Sequence, residues 1–99
     1  MPAYIAVLVD IKDPETYARY IKLAPPSIKL YDGRYLVRGG RKENLEGTWH
    51  PPRFVILEFP SMDRAREWWS SPEYAEAKAL RHQCADTEML LLEGLEVQP

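Results

Sequence analysis

The sequence predicts an α+β fold in which a four-stranded antiparallel sheet carries helices on one face. The first observation is the order of the apolar patterns along the chain, which reads strand, helix, strand, strand, helix, strand. The second is the length, because 99 residues of which 45% are hydrophobic suit one compact core. Residues 1–99 are therefore expected to form a single domain with a βαββαβ topology.

The first strand and the start of the first helix are marked by composition and by a capping motif. Residues 3–9 form an apolar run of strand length, rich in β-branched and aromatic side chains, and Asp10 ends that run. Asp13 then offers an N-cap carboxylate, and Pro14 and Glu15 suit the first turn of a helix. The helix is expected to begin there.

Two adjacent prolines interrupt this helix. Pro25 and Pro26 lack amide donors and clash with the preceding turn, so the helix is expected to kink or to restart, and a restart suits the residues better. The restarted segment should end at Gly33, which we expect to adopt the left-handed conformation common at helix ends.

The second strand is predicted at Arg34–Arg38 and carries two arginines. Because successive side chains alternate between the two faces of a sheet, Arg34 and Arg38 should share one face and Tyr35 should lie on the other. Residues 41–52 follow as a long loop without periodicity. Such loops are often found at functional sites or interfaces.

The second half of the chain repeats these signals. Residues 53–59 form an apolar third strand, after which Ser61 offers the N-cap of a helix. Ser71 caps a further helical segment, which is expected to span Pro72–Cys84. Residues 88–97 are predicted as the fourth strand.

This topology, the ferredoxin-like plan, leaves one face of the sheet bare. The strands carry large apolar residues on both sides, so the bare face is expected to pack on a second copy of the chain across a two-fold axis. Such a homodimer would also bury part of the aromatic load of three Trp and six Tyr.

Charge and composition argue against several partners. Thirteen basic and fifteen acidic residues are interspersed along the chain. No extended positive surface that would attract the phosphates of nucleic acid is therefore expected, and no nucleic-acid partner is predicted. No apolar run approaches the roughly 20 residues that span a bilayer, so no membrane partner is expected and a cytoplasmic location is predicted. Cys84 is the single cysteine, and neither His50 nor His82 completes a metal-ligand set. Nucleotide motifs are absent, and no cofactor is expected.

Four segments form a combination that is specific as a set: YDGRYLVRGG (31–40), LEGTW (45–49), EFPS (58–61) and WWSSPEY (68–74). Together they resemble the signature of the domain of unknown function 1330 family, over nearly the whole chain. The resemblance implies a ferredoxin-like fold in the dimeric α+β barrel superfamily, which also contains cofactor-free monooxygenases, muconolactone isomerases, stress-responsive barrel proteins and haem-binding members. It implies no established activity. The sequence departs from the family pattern at Trp69, where tyrosine is commoner, and at Asp32, where the turn is often doubly glycine.

Charged residues in otherwise apolar strands are the first candidate site residues: Asp10, Arg34, Arg38 and Glu58. Burying a charge is costly unless the charge is paired or binds a ligand. In a ligand-binding interpretation, Arg38 binds a carboxylate or enolate oxygen, while Glu58 or Asp10 orients it or moves a proton. In the structural interpretation, which we favour, these residues form ion pairs between strands or subunits. The sequence does not reveal which arginine faces Glu58.

Aromatic residues are the second group of candidates, because Tyr20, Trp68, Trp69 and Tyr74 could line a pocket between the helices and the sheet. Trp68 and Trp69 are adjacent on a helix and therefore about 100° apart, so only one can point straight inward. The favoured role for both is packing. The candidate ligand-binding residues are thus Arg38, Glu58, Tyr20, Tyr74, Trp69, Asp10 and Arg34, and no catalytic residue is assigned.

Three hypotheses for function remain open at this point. The first is a homodimer that binds a small organic acid or an enolisable compound, and the second is a non-catalytic structural or interaction dimer. The third is a cofactor-independent enzyme that resembles the monooxygenases or isomerases of the superfamily. The charged strand residues motivate the first two, and the resemblance motivates the third.

Overall fold

The computed structural model describes residues 1–50 and 52–95, and it has the expected ferredoxin-like α+β fold. Four strands and three helices form in this part of the chain: β1 (Ala3–Ile11), α1 (Pro14–Leu30), β2 (Arg34–Arg38), β3 (Arg53–Phe59), α2 (Met62–Trp69), α3 (Pro72–Cys84) and β4 (Ala85–Glu93). The strands pair antiparallel in the order β2-β3-β1-β4. None of these helices is both long enough and apolar enough to cross a membrane.

The core lies between the helices and one face of the sheet. Trp68 of α2 is fully buried at its centre, with its ring centroid 5.4 Å from that of Phe59 and 4.1 Å from that of Tyr74. The indole nitrogen of Trp68 donates to the Ser27 hydroxyl at 3.1 Å, and that hydroxyl donates to the carbonyl of Ala24 at 2.7 Å. One buried side chain therefore joins α1, α2, α3 and β3.

The caps of the helices agree with the sequence prediction. Asp13, Ser61 and Ser71 each accept a hydrogen bond from a backbone amide in the first turn of α1, α2 and α3, respectively. These bonds satisfy donors that have no partner inside the helix. The predicted bounds of α3 are confirmed, and Tyr74 and Arg81 lie on its buried face.

The predicted restart of the first helix is wrong, because α1 continues through Pro25 and Pro26 to Leu30. The prolines remove the amide donors that would bond the carbonyls of residues 21 and 22. A side chain supplies one replacement, since the Nη2 of Arg38 lies 3.5 Å from the oxygen of Ile21. Burial of Ala24 and Ile28 against the core also holds this segment in a helical path.

The left-handed residue after α1 is Asp32, with φ of 64°, and the prediction that Gly33 adopts this conformation is wrong. Aspartate tolerates the left-handed region better than most residues do. Glycine is required at position 33 for space, because a Cβ there would lie 2.5 Å from the Cε1 of Phe59 and 2.8 Å from the Cγ2 of Ile28.

A β-bulge in β2 changes the direction of its second arginine. The register with β3 shifts between Tyr35 and Val37, so Leu36 is an extra residue. As a consequence Arg38 opposes Val55, a buried residue on the helix side of the sheet. Arg38 therefore lies on the same side of the sheet as Tyr35.

Arg34 precedes the bulge and lies on the side away from the helices, where it opposes Glu58. Its Nε donates to the Oε1 of Glu58 at 2.6 Å. The prediction that Arg34 and Arg38 share a face is therefore wrong. Strict alternation fails because the bulge adds one residue between them.

The ends of two strands also differ from the prediction. β1 continues to Ile11, so Asp10 does not end it, and β4 begins at Ala85 and ends at Glu93 within the described residues. The predicted residues 96 and 97 of the last strand lie outside the described residues. Asp10 is tolerated near the end of β1, at one corner of the sheet, because its Oδ2 lies 2.8 Å from the Nζ of Lys12.

The sheet face away from the helices is apolar, and we call it the open face. Its side chains alternate along the strands with those that face the core. Leu90 and Leu92 are 60% and 43% exposed there, and Trp49 of the long loop packs edge-to-face on Phe54. The apolar residues of the open face are Tyr4, Ala6, Leu8, Val37, Phe54, Ile56, Leu90 and Leu92.

Gly33→Ala should lower the free energy of unfolding by about 1–3 kcal/mol, because its methyl group overlaps Phe59 and Ile28. Gly40→Ala is the matched control, since a Cβ there meets nothing within 4 Å, and it should change stability by less than about 1 kcal/mol. Urea denaturation of both variants measures the difference. Equal stability of the two variants would contradict the packing argument.

Candidate functional site

A cavity lies between α1, α3 and the helix side of the sheet, and its walls are mostly aliphatic. Its free volume is about 30 Å³, which is room for about two water molecules. The polar lining consists of three arginines and three tyrosines: Arg38, Arg53, Arg81, Tyr17, Tyr20 and Tyr35. No acidic side chain lines the cavity among the described residues. We call it the arginine cavity.

Arg81 is the most deeply buried of the three arginines, with 2% of its surface exposed. Its Nε donates to the Tyr74 hydroxyl at 3.3 Å, Nη1 donates to the Thr87 hydroxyl, and Nη2 lies 3.5 Å from the Nε2 of His82. All three partners are uncharged acceptors when His82 is neutral. Partial burial, aided by the positive charge of Arg81, lowers the pKa of His82 and favours that neutral form. Within residues 1–50 and 52–95, no carboxylate forms an ion pair with Arg81.

Arg53 and Arg38 come from neighbouring positions on β3 and β2. The Nε of Arg53 is buried and has no hydrogen-bond partner among the described residues, and its guanidinium carbon lies 5.7 Å from the ring centroid of Tyr17. The guanidinium carbon of Arg38 lies 4.4 Å from the ring centroid of Tyr35. Neither arginine forms an ion pair in the described part of the chain. Both therefore keep donors for a ligand.

Tyr20 and Tyr35 of the cavity have raised pKa values and stay neutral over the ordinary pH range. Burial raises the pKa of Tyr20 well above its usual value, and its contact with Tyr74 adds to this effect. Burial likewise raises the pKa of Tyr35 to about 12, although the charge of Arg38 opposes the shift. The hydroxyls of Tyr20 and Tyr74 are 2.9 Å apart. The hydroxyls of Tyr20 and Tyr35 can therefore donate and accept hydrogen bonds, and their deprotonated forms are disfavoured.

The structure brings together two of the predicted site residues and a third that contacts them. Arg38 and Tyr20 line the cavity, and Tyr74 reaches it through the hydroxyl of Tyr20. Trp69 lies behind Tyr74, with ring centroids 6.2 Å apart, and is 37% exposed.

The other predicted residues lie elsewhere. Glu58 and Arg34 form their ion pair on the sheet side away from the cavity, and the carboxylate of Asp10 pairs with Lys12 at the sheet corner. Whether these residues contact a ligand stays a prediction. No cluster of three His, Cys, Asp or Glu side chains in the described residues is arranged to hold a metal ion.

Sequence reasoning missed Arg53 and Arg81 as site residues, although both carried a signal. Arg81 is a charge on the buried face of α3, and a charge on a buried helix face needs a partner just as a charge in an apolar strand does. Arg53 alternates with Val55 and Leu57, which are both buried, so it shares their face of β3.

The fold defines a class, the ferredoxin-like α+β proteins, and solved structures of this class resemble the chain. RPA0582, a protein of unknown function from Rhodopseudomonas palustris, superposes with a TM-score of 0.78 at 24% identity, covering 97% of this chain and 84% of its own. A dimeric ferredoxin-like protein of unknown function from Jannaschia sp. CCS1 has a TM-score of 0.67 at 12% identity, covering 95% and 100%. SnoaB, a cofactor-independent oxygenase from Streptomyces nogalater, has a TM-score of 0.57 at 8% identity, covering 99% and 96%. At these identities the likeness shows the fold alone.

The family described as "Domain of unknown function (DUF1330)" matches residues 2–95, and the chain belongs to this family. The resemblance of the four sequence segments is thereby confirmed. No curated protein matches the sequence.

The free energy of unfolding should fall as pH rises from about 10 to about 12. The pKa of Tyr35 is raised from 10.0 to about 12 in the fold, and that of Tyr20 is raised too, so the fold favours the neutral phenols. This stabilisation is complete below pH 10, the unfolded pKa, and is lost as the pH rises through the folded pKa values.

Chemical denaturation at each pH, with tyrosinate absorbance as a second signal, checks this expectation. Tyr35→Phe and Tyr20→Phe each remove one buried phenol and should flatten the decline. A decline in both variants as steep as in the wild type would show that other groups cause it.

Proposed function

We propose that the chain binds a small organic acid in the arginine cavity, with the carboxylate of the acid on Arg38 and Arg53. One observation carries this proposal: three guanidinium groups line one cavity, and none of them pairs with a described carboxylate. Arg81 is buried, Arg53 is half-buried and Arg38 is exposed at the rim. Placing positive charges close together without an anion is unfavourable, so a bound carboxylate would relieve that cost. The unpartnered Nε of Arg53 supports the same conclusion, because buried polar atoms without partners are rare.

A second candidate function is cofactor-free oxygen or proton chemistry at the same site. The observation in its favour is that neutral tyrosine hydroxyls lie beside the arginines, an arrangement that would stabilise an enolate oxygen. A cofactor-independent oxygenase is among the proteins that share the fold. The non-catalytic alternative, in which the arginines hold an interface together, receives less support for Arg38, because Arg38 lies on the helix side of the sheet.

We also propose that two copies of the chain pair through their open faces. Val37, Leu90 and Leu92 of this face are exposed in the single chain and its other apolar residues are half-buried, because the helices cover only the opposite face. A relative in structure is a dimeric ferredoxin-like protein. Burying Leu90, Leu92 and their neighbours between two sheets would remove this apolar surface from water.

Arg38→Gln should weaken the binding of small carboxylic acids by at least about tenfold, since it removes a charged hydrogen-bond donor. Arg34→Gln is the matched control, because Arg34 pairs with Glu58 on the other side of the sheet and should leave acid binding unchanged. Isothermal calorimetry with a panel of acids of two to six carbons measures both. Equal losses in the two variants, or no binding by the wild type, would refute the proposed site.

Leu90→Lys should convert the dimer to a monomer, because it places a charge on apolar surface that the proposed interface buries. Leu30→Lys is the control, since Leu30 has the same 60% exposure but lies at the end of α1. Analytical ultracentrifugation separates the two states. If Leu90→Lys sediments as the wild type does, the open face is not the interface.

A further inference from the structure

The hydrogen bonds between Arg81, Tyr74 and Tyr20 run in one direction. A guanidinium only donates, so the Tyr74 oxygen accepts from the Nε of Arg81 at 3.3 Å. Tyr74 is fully buried, and its own proton therefore needs an acceptor. The acceptor that the described residues offer is the oxygen of Tyr20, at 2.9 Å. Tyr74 thus donates to Tyr20.

Because the Tyr20 oxygen accepts from Tyr74, the hydroxyl proton of Tyr20 remains available to a ligand in the cavity. Tyr20 lines the cavity, and its oxygen already accepts from Tyr74. Burial raises the pKa of Tyr20, so the hydroxyl keeps its proton and acts as a donor. A donor chain that begins at a buried positive charge polarises each following hydroxyl, which makes Tyr20 a stronger donor than an isolated phenol.

The cavity therefore has two different ends. Arg38 and Arg53 belong to β2 and β3, the two strands at one end of the strand order. The Nε of Arg53 has no partner among the described residues, so this end of the cavity has N–H donors available for a ligand. Each nitrogen of the Arg81 guanidinium already has a protein partner, in Tyr74, Thr87 and His82. Thr87 belongs to β4, at the edge of the sheet opposite β2. One end can bind a charged carboxylate directly, whereas the other end presents a neutral hydroxyl.

We propose that the arginine cavity selects a small oxo acid, whose carboxylate binds Arg38 and Arg53 and whose carbonyl oxygen accepts a hydrogen bond from Tyr20. This inference rests on the proposed function and specifies its ligand. The free volume of about 30 Å³ is smaller than a three-carbon acid, so the acid has to displace part of the lining and should have a short chain. Arg38 is exposed, and its contacts are with the Tyr35 ring and one backbone oxygen, so this side chain can move to admit the acid.

Pyruvate and methacrylate form a matched pair that tests the carbonyl contact. Each acid has a planar carbon next to the carboxylate, and this carbon carries a methyl group. Its double bond goes to oxygen in pyruvate and to a methylene group in methacrylate. The wild type should bind pyruvate at least about tenfold more tightly, because a site that offers a hydrogen bond discriminates against the analogue that cannot accept it. Calorimetry or ligand-observed NMR measures both dissociation constants.

Tyr20→Phe should remove the preference for pyruvate, so that the dissociation constants of the two acids fall within about threefold of each other. A general loss of structure would weaken both acids and would not change their ratio selectively. Tyr74→Phe keeps the Tyr20 hydroxyl but removes the donor that directs it, so the preference should shrink without vanishing. Equal binding of the two acids by the wild type, or a full preference in Tyr20→Phe, would overturn the inference while acid binding stands. If neither acid nor any other small carboxylate binds, the proposed function fails and the inference fails with it.

Discussion

The burial of a positive charge is the constraint on which the arrangement around the cavity depends. Arg81 is almost inaccessible to water, so each of its donors must find an acceptor inside the protein. One of those acceptors is the Tyr74 hydroxyl, and the ring of Tyr74 packs on Trp68. Trp68 in turn bonds Ser27 of α1. The contacts of Arg81 thereby extend through Tyr74 and Trp68 to all three helices. The hydroxyl of Tyr74 also bonds that of Tyr20, which lines the cavity.

The bulge in β2 separates two surfaces with different chemistry. Before it, Arg34 pairs with Glu58 on the open face, where an exposed ion pair contributes little to stability. After it, Arg38 turns to the helix side and joins the cavity. A single extra residue, Leu36, therefore gives one strand an arginine on each side of the sheet. The open face stays largely apolar, and the cavity gains a positive charge.

The candidate site was predictable in part. Tyr20 and Tyr74 were expected as aromatic residues that could line a pocket between the helices and the sheet, and Arg38 follows from a charge in an apolar strand. Glu58 met the same criterion, and it lies in an ion pair away from the cavity. A charge in an apolar strand signals that a partner is needed, but it does not say whether that partner is a protein side chain or a ligand. Arg53, at the start of β3, and Arg81, on the buried face of α3, are also charges on apolar faces, and both line the cavity.

The sequence alone determined the element order, the N-caps at Asp13, Ser61 and Ser71, and the family. These depend on neighbouring residues, whose side chains bond the backbone within one turn or repeat with the period of a helix or strand. Tertiary structure decided which side of the sheet each arginine occupies and that Arg81, Tyr74 and Tyr20 form one chain of hydrogen bonds. Strand register, the bulge and the packing of α1 on α3 set those positions. Contacts between residues far apart in the sequence create all three, and local patterns carry no record of such contacts.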